Sequence, residues 1–310
     1  MPLLRKVRVL AAKQETTSGT AETLAASDGT FNVYDFEVQP DISVTDRPGQ
    51  GGFGKLTGVT EGRLGTVTFK TDLVGDGAAG PPSWATTFLP ACGFTETTGT
   101  FAPLSEPPGS NVRTLTIGVY ENGRFKRLRG ASGTFRLVLE TGKAAMIEFT
   151  FTGVWVAPTD AGIISPNYPA QLPIRFANST MTIGGSWSPC VQSVEIDAGN
   201  EVVGRECQTS SDGSGYINAI ITDRNVVGTI NPEAELVATE DVYGDWIAHN
   251  ENALSIALTD GTDTITIAAP KLQYTNIQDG DRNGIIIDEI EFQCSRNSDA
   301  GNDELTIDFS

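Results

Sequence analysis

The stretch Gly65–Leu73, GTVTFKTDL, alternates without a fault. Val67, Phe69, Thr71 and Leu73 fall on one side, and Thr66, Thr68, Lys70 and Asp72 on the other. A helix would scatter both sets around its surface, so a period of two demands a strand with one face buried. The pattern returns in Gly228–Leu236, GTINPEAEL, where Ile230, Pro232, Ala234 and Leu236 alternate with Thr229, Asn231, Glu233 and Glu235. Each copy is followed by a Trp-centred segment, Ser83–Leu89 or Asp245–Asn250. Each is preceded by a loop carrying an acid and an arginine, Glu61 with Arg63 and Asp223 with Arg224. One unit used twice is the expectation, an internal duplication.

The remaining patterning agrees with an all-β fold of two tandem β-sandwich or tube-type domains, each with a short flanking helix. The 310 residues suffice for two cores. Asn122-Gly123 and Asp260-Gly261 sit between strand patterns and mark hairpins. Gly133–Glu140 and Ala144–Gly153 predict another hairpin about Thr141–Lys143, and Lys271–Ile277 with Ile285–Cys294 the last one. Trp84 and Phe88 share one helical face, with Ser83 as cap and Pro90 as stop. Tyr243, Trp246 and Ile247 have helical spacing too. Residues 1–24 lack a clean period and read as an N-terminal arm; 25–157 form the first domain, the proline-rich 158–174 a linker, and 175–310 the second domain. Val44–Gly54, with four glycines and Pro48, reads as a loop. It lacks the GK[ST] ending of a phosphate cradle.

Charge narrows the functions. The net charge is −18 and unevenly placed. Through Ala170 there are 15 basic against 16 acidic residues; from Gln171 onward there are 6 against 23. Such a surface repels nucleic acid. No apolar run approaches the roughly 18 residues that a membrane helix needs. The basic, interrupted start Met1–Ala12 does not read as a signal peptide. Cys92, Cys190, Cys207 and Cys294 form no CxxC pair and read as buried thiols of a reducing compartment.

Candidate chemistry is sparse. The single histidine, His249, has no nucleophile motif beside it and reads as a solvated or capping residue. Glu233/Glu235 and Glu289/Glu291 have a spacing of about 7 Å along a strand, which a glycosidase pair could use. Without an aromatic cleft, a solvated acidic face fits them better. Asp279, Asp281 and Asn283 open like a calcium loop, with Asp288 or Glu289 as a substitute ligand, yet position twelve is Ile290 and a hairpin turn explains the stretch better. No cofactor motif and no enzyme signature are present. The basic run Arg124, Lys126, Arg127 and Arg129 suits docking onto an acidic face of a neighbouring copy.

The opening LLRKVRVLAAKQETTSGTAETL, the segment VQPDISVTDRPGQGGFGKLTGVTEGRLGTVTFKTDL, the helix WATTFLPACGF and the hairpin LRGASGTFRLVLETGKAAMIEFTFTGVW together resemble phage tail tube proteins of long-tailed phages. From TMTIGG onward the chain is similar to a second copy of the tube domain. The resemblance implies a structural virion protein, made in the host cytoplasm and placed in the tail. It implies self-assembly into rings, stacked into a tube with other tail proteins, through which DNA passes without specific binding. Six tube domains around the channel mean trimeric rings if both halves are tube domains, and hexameric rings otherwise. The faces expected to line the lumen are Thr66, Thr68, Lys70, Asp72, Glu148, Thr229, Asn231, Glu233, Glu235, Glu289 and Glu291. Arg124, Lys126, Arg127 and Arg129 are expected between subunits, and the Gly49–Gly54 loop and the arm between rings. A two-domain β-sandwich binding module of a virion is the alternative, and a glycoside hydrolase the third reading.

Overall fold

Gly65–Asp72 of the alternating stretch is the end of a strand of 18 residues. The computed structural model describes residues 3–210 and 212–310. Its first half contains β1 (Arg8–Gln14), β2 (Val33–Pro48), β3 (Lys55–Asp72), helix α1 (Ser83–Phe88), β4 (Phe94–Thr97), β5 (Thr100–Pro103), β6 (Leu115–Glu121), β7 (Arg124–Glu140) and β8 (Met146–Asp160). The second half contains β9 (Thr180–Ile183), β10 (Val191–Asp197), β11 (Asn200–Glu206), β12 (Tyr216–Arg224), β13 (Val227–Pro232), helix α2 (Val242–Ala248), β14 (Asn252–Thr259), β15 (Thr264–Arg282), β16 (Ile285–Cys294) and β17 (Thr306–Phe309). The fold is all-β, with only two short α-helices among the described residues.

Strand order repeats between the halves. In the first, antiparallel neighbours run β1–β6–β7–β8–β3–β2. In the second they run β9–β14–β15–β16–β13–β10. Each helix sits in the chain between corresponding strands, α1 between β3 and β6, and α2 between β13 and β14. Bulges recur at corresponding places. The β2/β3 register slips between Tyr34 and Glu37, and β10/β13 between Val191 and Val194. The β7/β8 register slips between Arg129 and Ser132, and β15/β16 between Tyr274 and Asn276. A bulge inserts a residue and bends its strand, so bulges at matched sites give both sheets matched curvature. The hairpin β11–β12 stands where β2 and β3 extend beyond the first sheet, as a two-stranded sheet of its own.

The halves are hydrogen-bonded to each other. The end of β7 pairs with β10, from Ser193 opposite Glu140 to Asp197 opposite Arg136. One sheet therefore runs β2–β3–β8–β7–β10–β13–β16–β15. The two aligned glycines seat it closely. A Cβ on Gly65 would lie 2.9 Å from the Trp155 ring, and one on Gly228 would lie 2.4 Å from the Phe292 ring. Both positions tolerate only hydrogen there.

The buried face carries aromatics. Phe69, Phe88, Phe149 and Phe151 meet at centroid distances of 4.9–6.0 Å, with Trp84 and Phe135 packed on Phe149. Tilted and offset-stacked contacts of this kind add to burial itself. Phe309, on the last strand, meets both Trp84 and Phe101, tying the chain's end to the first half.

Several expectations are corrected. Residues 8–14 form β1, whose Val9 to Ala12 are all buried; cover on both faces removes the period that would have revealed a strand. Of Val44–Gly54 only Gly49–Gly54 lies outside strands. Glu61 with Arg63, and Asp223 with Arg224, lie in strands rather than loops. Each of β7 and β15 is one long strand where the sequence suggested two, because a bulge breaks the alternation without breaking the strand. The Gly228 strand stops at Pro232, leaving Ala234 and Leu236 exposed. Ser83 is not the cap: Pro82 holds that position, and the Ser83 hydroxyl donates to Thr30 O. Only Cys92 and Cys294 are buried, while Cys190 is exposed.

Replacing Phe149 by alanine is expected to cost about 3–5 kcal/mol, the range for truncating a buried aromatic. Urea unfolding monitored by circular dichroism checks this, and a loss below about 1 kcal/mol would contradict the packing.

Candidate functional site

The sheet face opposite the aromatic core carries most of the residues singled out from the sequence. Lys70, Glu148, Arg136 and Asp197 stand opposite one another in register across β3, β8, β7 and β10. Lys70 Nζ lies 2.6 Å from Glu148 Oε1, and Arg136 Nη2 lies 2.8 Å from Glu148 Oε2. The other arm of Arg136 reaches Glu195 at 3.1 Å. Signs therefore alternate along a ladder that crosses from the first half into the second. Partial burial pushes the Glu148 carboxyl up, but hydrogen bonds and charge from Lys70 and Arg136 outweigh it and hold the group below its ordinary range. The ladder leaves the first half's face nearly neutral. Thr66, Thr68 and Thr150 complete it as uncharged polar groups.

The second half's face is different. Glu195, Thr229, Glu291 and Asn276 share a row across β10, β13, β16 and β15, and Gln278 stands opposite Glu289 beside them. Glu289 and Glu291 are exposed, and neither forms an ion pair among the described residues. Two faces of one topology thus carry opposite electrostatic designs. The sequence points to Glu148, Glu289 and Glu291 through alternation alone. Arg136 and Glu195 escaped notice, since only the β7–β10 pairing shows that they meet.

Other predicted residues fall elsewhere. Asp72 lies on the Lys70 face but is buried, accepting a hydrogen bond from the Tyr34 hydroxyl at 2.8 Å. Burial, with the nearby Asp72 carboxylate, pushes the Tyr34 hydroxyl up to about 12. Asn231 clamps the β10 bulge, its Oδ1 accepting from the backbone N–H groups of Gln192 and Ser193, both at 2.9 Å. Glu233 lies past the end of β13 and pairs with Arg282 at 2.5 Å. The Glu235 carboxylate accepts from Trp187 Nε1 at 3.2 Å. The last two therefore do not share a strand face with Thr229.

The calcium-like stretch is a tight hairpin. Asp279 and Asp281 belong to β15, and Asn283-Gly284 turn the chain with φ of +57° and +87°. Asp279 and Asp281 each face a β16 residue, and Asp279 Oδ1 accepts from the Tyr243 hydroxyl at 2.8 Å. Extended strands hold these oxygens apart instead of converging them on a cation. His249 is the left-handed residue that ends α2.

The basic run is engaged inside the chain. Arg124 and Lys126 both bind Glu121, at 2.7 and 3.0 Å. Arg127 lies over the Phe125 ring. Arg129 donates to Gly19 O and Ile217 O and pairs with Asp212 at 2.8 Å. Arg129 is thereby a pin between β7 and the loop before β12. Partial burial raises the Asp212 carboxyl, but hydrogen bonds from Ser214 and Arg129 win and lower it to about 2.

Two of the strand edges left open among the described residues correspond between the halves. β2 pairs only with β3. From Asn276 to Arg282, β15 pairs only with β16. The corresponding part of β7 has β8 on one side and β10 on the other. At the far end of the β2–β3 hairpin, Val44, Leu56, Val59 and the fully exposed Phe53 show apolar side chains to solvent around the Gly49–Gly54 turn.

Comparison with known families gives one result. The sequence model of a family described as Phage tail tube protein matches residues 6–294, nearly the whole chain. No curated protein matches.

Asp212 gives a pH test. Its folded carboxyl is depressed from 3.8 to about 2, so the stabilisation is present above pH 3.8 and is lost as pH falls through 2. Asp212→Asn is expected to lower the melting temperature at pH 6, with the gap to the parent narrowing from pH 4 toward pH 2. A gap independent of pH would refute the pairing.

Proposed function

The chain belongs to the phage tail tube protein family, and from that membership we propose that three copies close into one ring, that rings stack into the tail tube, and that the charged sheet face lines the channel through which DNA is ejected. The observation that carries this reading is the junction inside the chain. There β7 of the first half pairs with β10 of the second, and β10 corresponds by strand order to β2. The open edge of β15 corresponds to the edge of β7 that β10 occupies. Laying β2 of one chain on β15 of the next repeats the same junction between molecules. Repetition pairs both of these edges, which is how closed barrels avoid uncontrolled strand addition.

The repeated strand order and matched bulges support an internal duplication, with each half acting as one tube domain; the linker expected over 158–174 follows β8, which runs on to Asp160. Six tube domains, the number that the family resemblance implies, then require three chains. The role is structural, and binding is to further copies and to other tail components.

Threefold, rather than sixfold, electrostatics follows. Each chain would contribute one neutralised sector, built by Lys70, Glu148, Arg136 and Glu195, and one acidic sector carrying Glu289 and Glu291. Fixed negative charge keeps phosphates from adhering, and screening over about 8–10 Å confines the effect to the wall. The exposed apolar tip about Phe53 is the surface for the neighbouring ring.

Negative-stain electron microscopy at rising concentration tests the reading, with hollow tubes and three chains per ring expected. Rings of six chains would contradict the two-domain assignment, and a protein that stays monomeric with tail components present would contradict the tube. Glu289→Lys with Glu291→Lys is expected to leave tubes intact and slow ejection of DNA from virions. Unchanged ejection would remove these residues from the channel wall.

A further inference from the structure

Four apolar side chains stand in water on the second half: Leu236 at 78% exposure, Val237 at 66%, Ile286 at 66% and Ile285 at 47%. Ala234 N donates to Ile286 O at 3.0 Å, which brings the chain leading to Leu236 and Val237 alongside the start of β16. The first half has the same site, and there it is covered. Counted along the chain from the aligned Gly65 and Gly228, Leu73 and Val74 are the counterparts of Leu236 and Val237, and the pairing of β3 with β8 and of β13 with β16 matches Ile147 to Ile286. Their exposures are 0%, 6% and 0%.

Beside that site in the first half lie α1, whose Trp84 Nε1 donates to Val74 O at 3.1 Å, and the chain that leads into β9. Ile174 and Phe176, four to six residues before β9, are 3% and 4% exposed. Their backbone is bonded to the tip of the β7–β8 hairpin: Ala145 N donates to Ile174 O, Phe176 N to Lys143 O and Gly142 N to Phe176 O, at 2.8–2.9 Å. Leu73 N donates in turn to Ala145 O at 3.0 Å. A segment that leads into the first strand of one repeat thus seals the preceding repeat.

The first strand of the other repeat is β1, and it too has a leading segment. Leu3 and Leu4 precede Arg8 by five and four residues and are 47% and 61% exposed. This segment lies at the joining edge: Arg8 donates to Phe36 O at 3.1 Å, and Arg5 lies 3.6 Å from Glu37, both on β2. It is also basic, through Arg5, Lys6 and Arg8, while the half it would meet carries 23 acidic against 6 basic residues from Gln171 onward.

We propose that Leu3–Val7 of each chain docks on Leu236, Val237, Ile285 and Ile286 of the preceding chain in the ring, as Ile174–Phe176 docks on the first half within a chain. The inference rests on the ring reading above. It assigns the exposed patch one occupant, a second copy of this chain, and makes the leading segment a strap across every junction between molecules. Solvent-exposed apolar clusters of this kind otherwise mark a surface without its partner.

The test places cysteines at Leu4 and Ile286 in a chain whose Cys190 and Cys207 are replaced by serine. Tubes are assembled, oxidised and run on a non-reducing gel. Covalent dimers and trimers, with no species above three chains, are expected. A ladder running past three chains would put the segment between rings and overturn the proposal, as would intact tubes without cross-links. A second variant, Leu3→Ser with Leu4→Ser, is expected to raise the concentration needed for assembly at least tenfold while leaving the monomer's melting temperature unchanged. Unaltered assembly would also overturn it. Both variants are scored against parent tubes, so a parent chain that never assembles registers as failure of the ring reading, and a parent that assembles while the variants behave alike registers as failure of the strap.

Discussion

An unpaired strand edge is the constraint on which the rest of this molecule depends. Backbone N–H and C=O groups along an edge seek a partner, and a sheet with two open edges pairs with whatever strand it meets. This chain satisfies the demand once internally, where β7 takes β10. It leaves the equivalent demand unmet at β15 and β2. A continuous sheet with matched bulges is bent the same way in both halves, so repeating its internal junction curls it toward closure. Assembly, in this account, extends a hydrogen-bonding pattern already present within the monomer.

The halves share topology and differ in chemistry. The first is charge-balanced on its open face and sealed over Leu73, Val74 and Ile147. The second shows uncompensated glutamates on that face and an uncovered apolar cluster at Leu236, Val237 and Ile286. Both differences have the same origin in the proposed ring. The first half meets its neighbour through a covalent linker and needs no recognition there. The second must find a separate molecule, and exposed apolar groups beside opposite charges provide affinity and direction.

Much of this was legible in the sequence where one face is buried and the other wet. The alternation of Gly65–Leu73, the Asn122-Gly123 turn and the helix of Trp84 and Phe88 all lie where the residues place them. Period two was lost where both faces are covered, as in β1, or where a bulge shifts the phase, as at Arg129–Ser132 and Tyr274–Asn276. Local composition also misled at Glu233 and Glu235, which continue an alternating pattern after Pro232 has ended the strand. The charge ladder was half visible: Glu148 and Lys70 stand out, while Arg136 and Glu195 meet only through a pairing between strands far apart in the chain. The basic run at Arg124–Arg129 reads as a docking surface, and nothing in the sequence announces that Arg124 and Lys126 pair with Glu121 and Arg129 with Asp212.

The most direct measurement of the central claim is hydrogen exchange by mass spectrometry on the monomer and on assembled tubes. If β2 joins β15, amides of residues 37–41 and 276–282 slow markedly on assembly, while those of 136–140 and 193–197, already paired within the chain, change little. Equal exchange of residues 37–41 and 276–282 in monomer and tube would contradict the account, since tubes would then be held together by other surfaces and the internal junction would be no template for the ring.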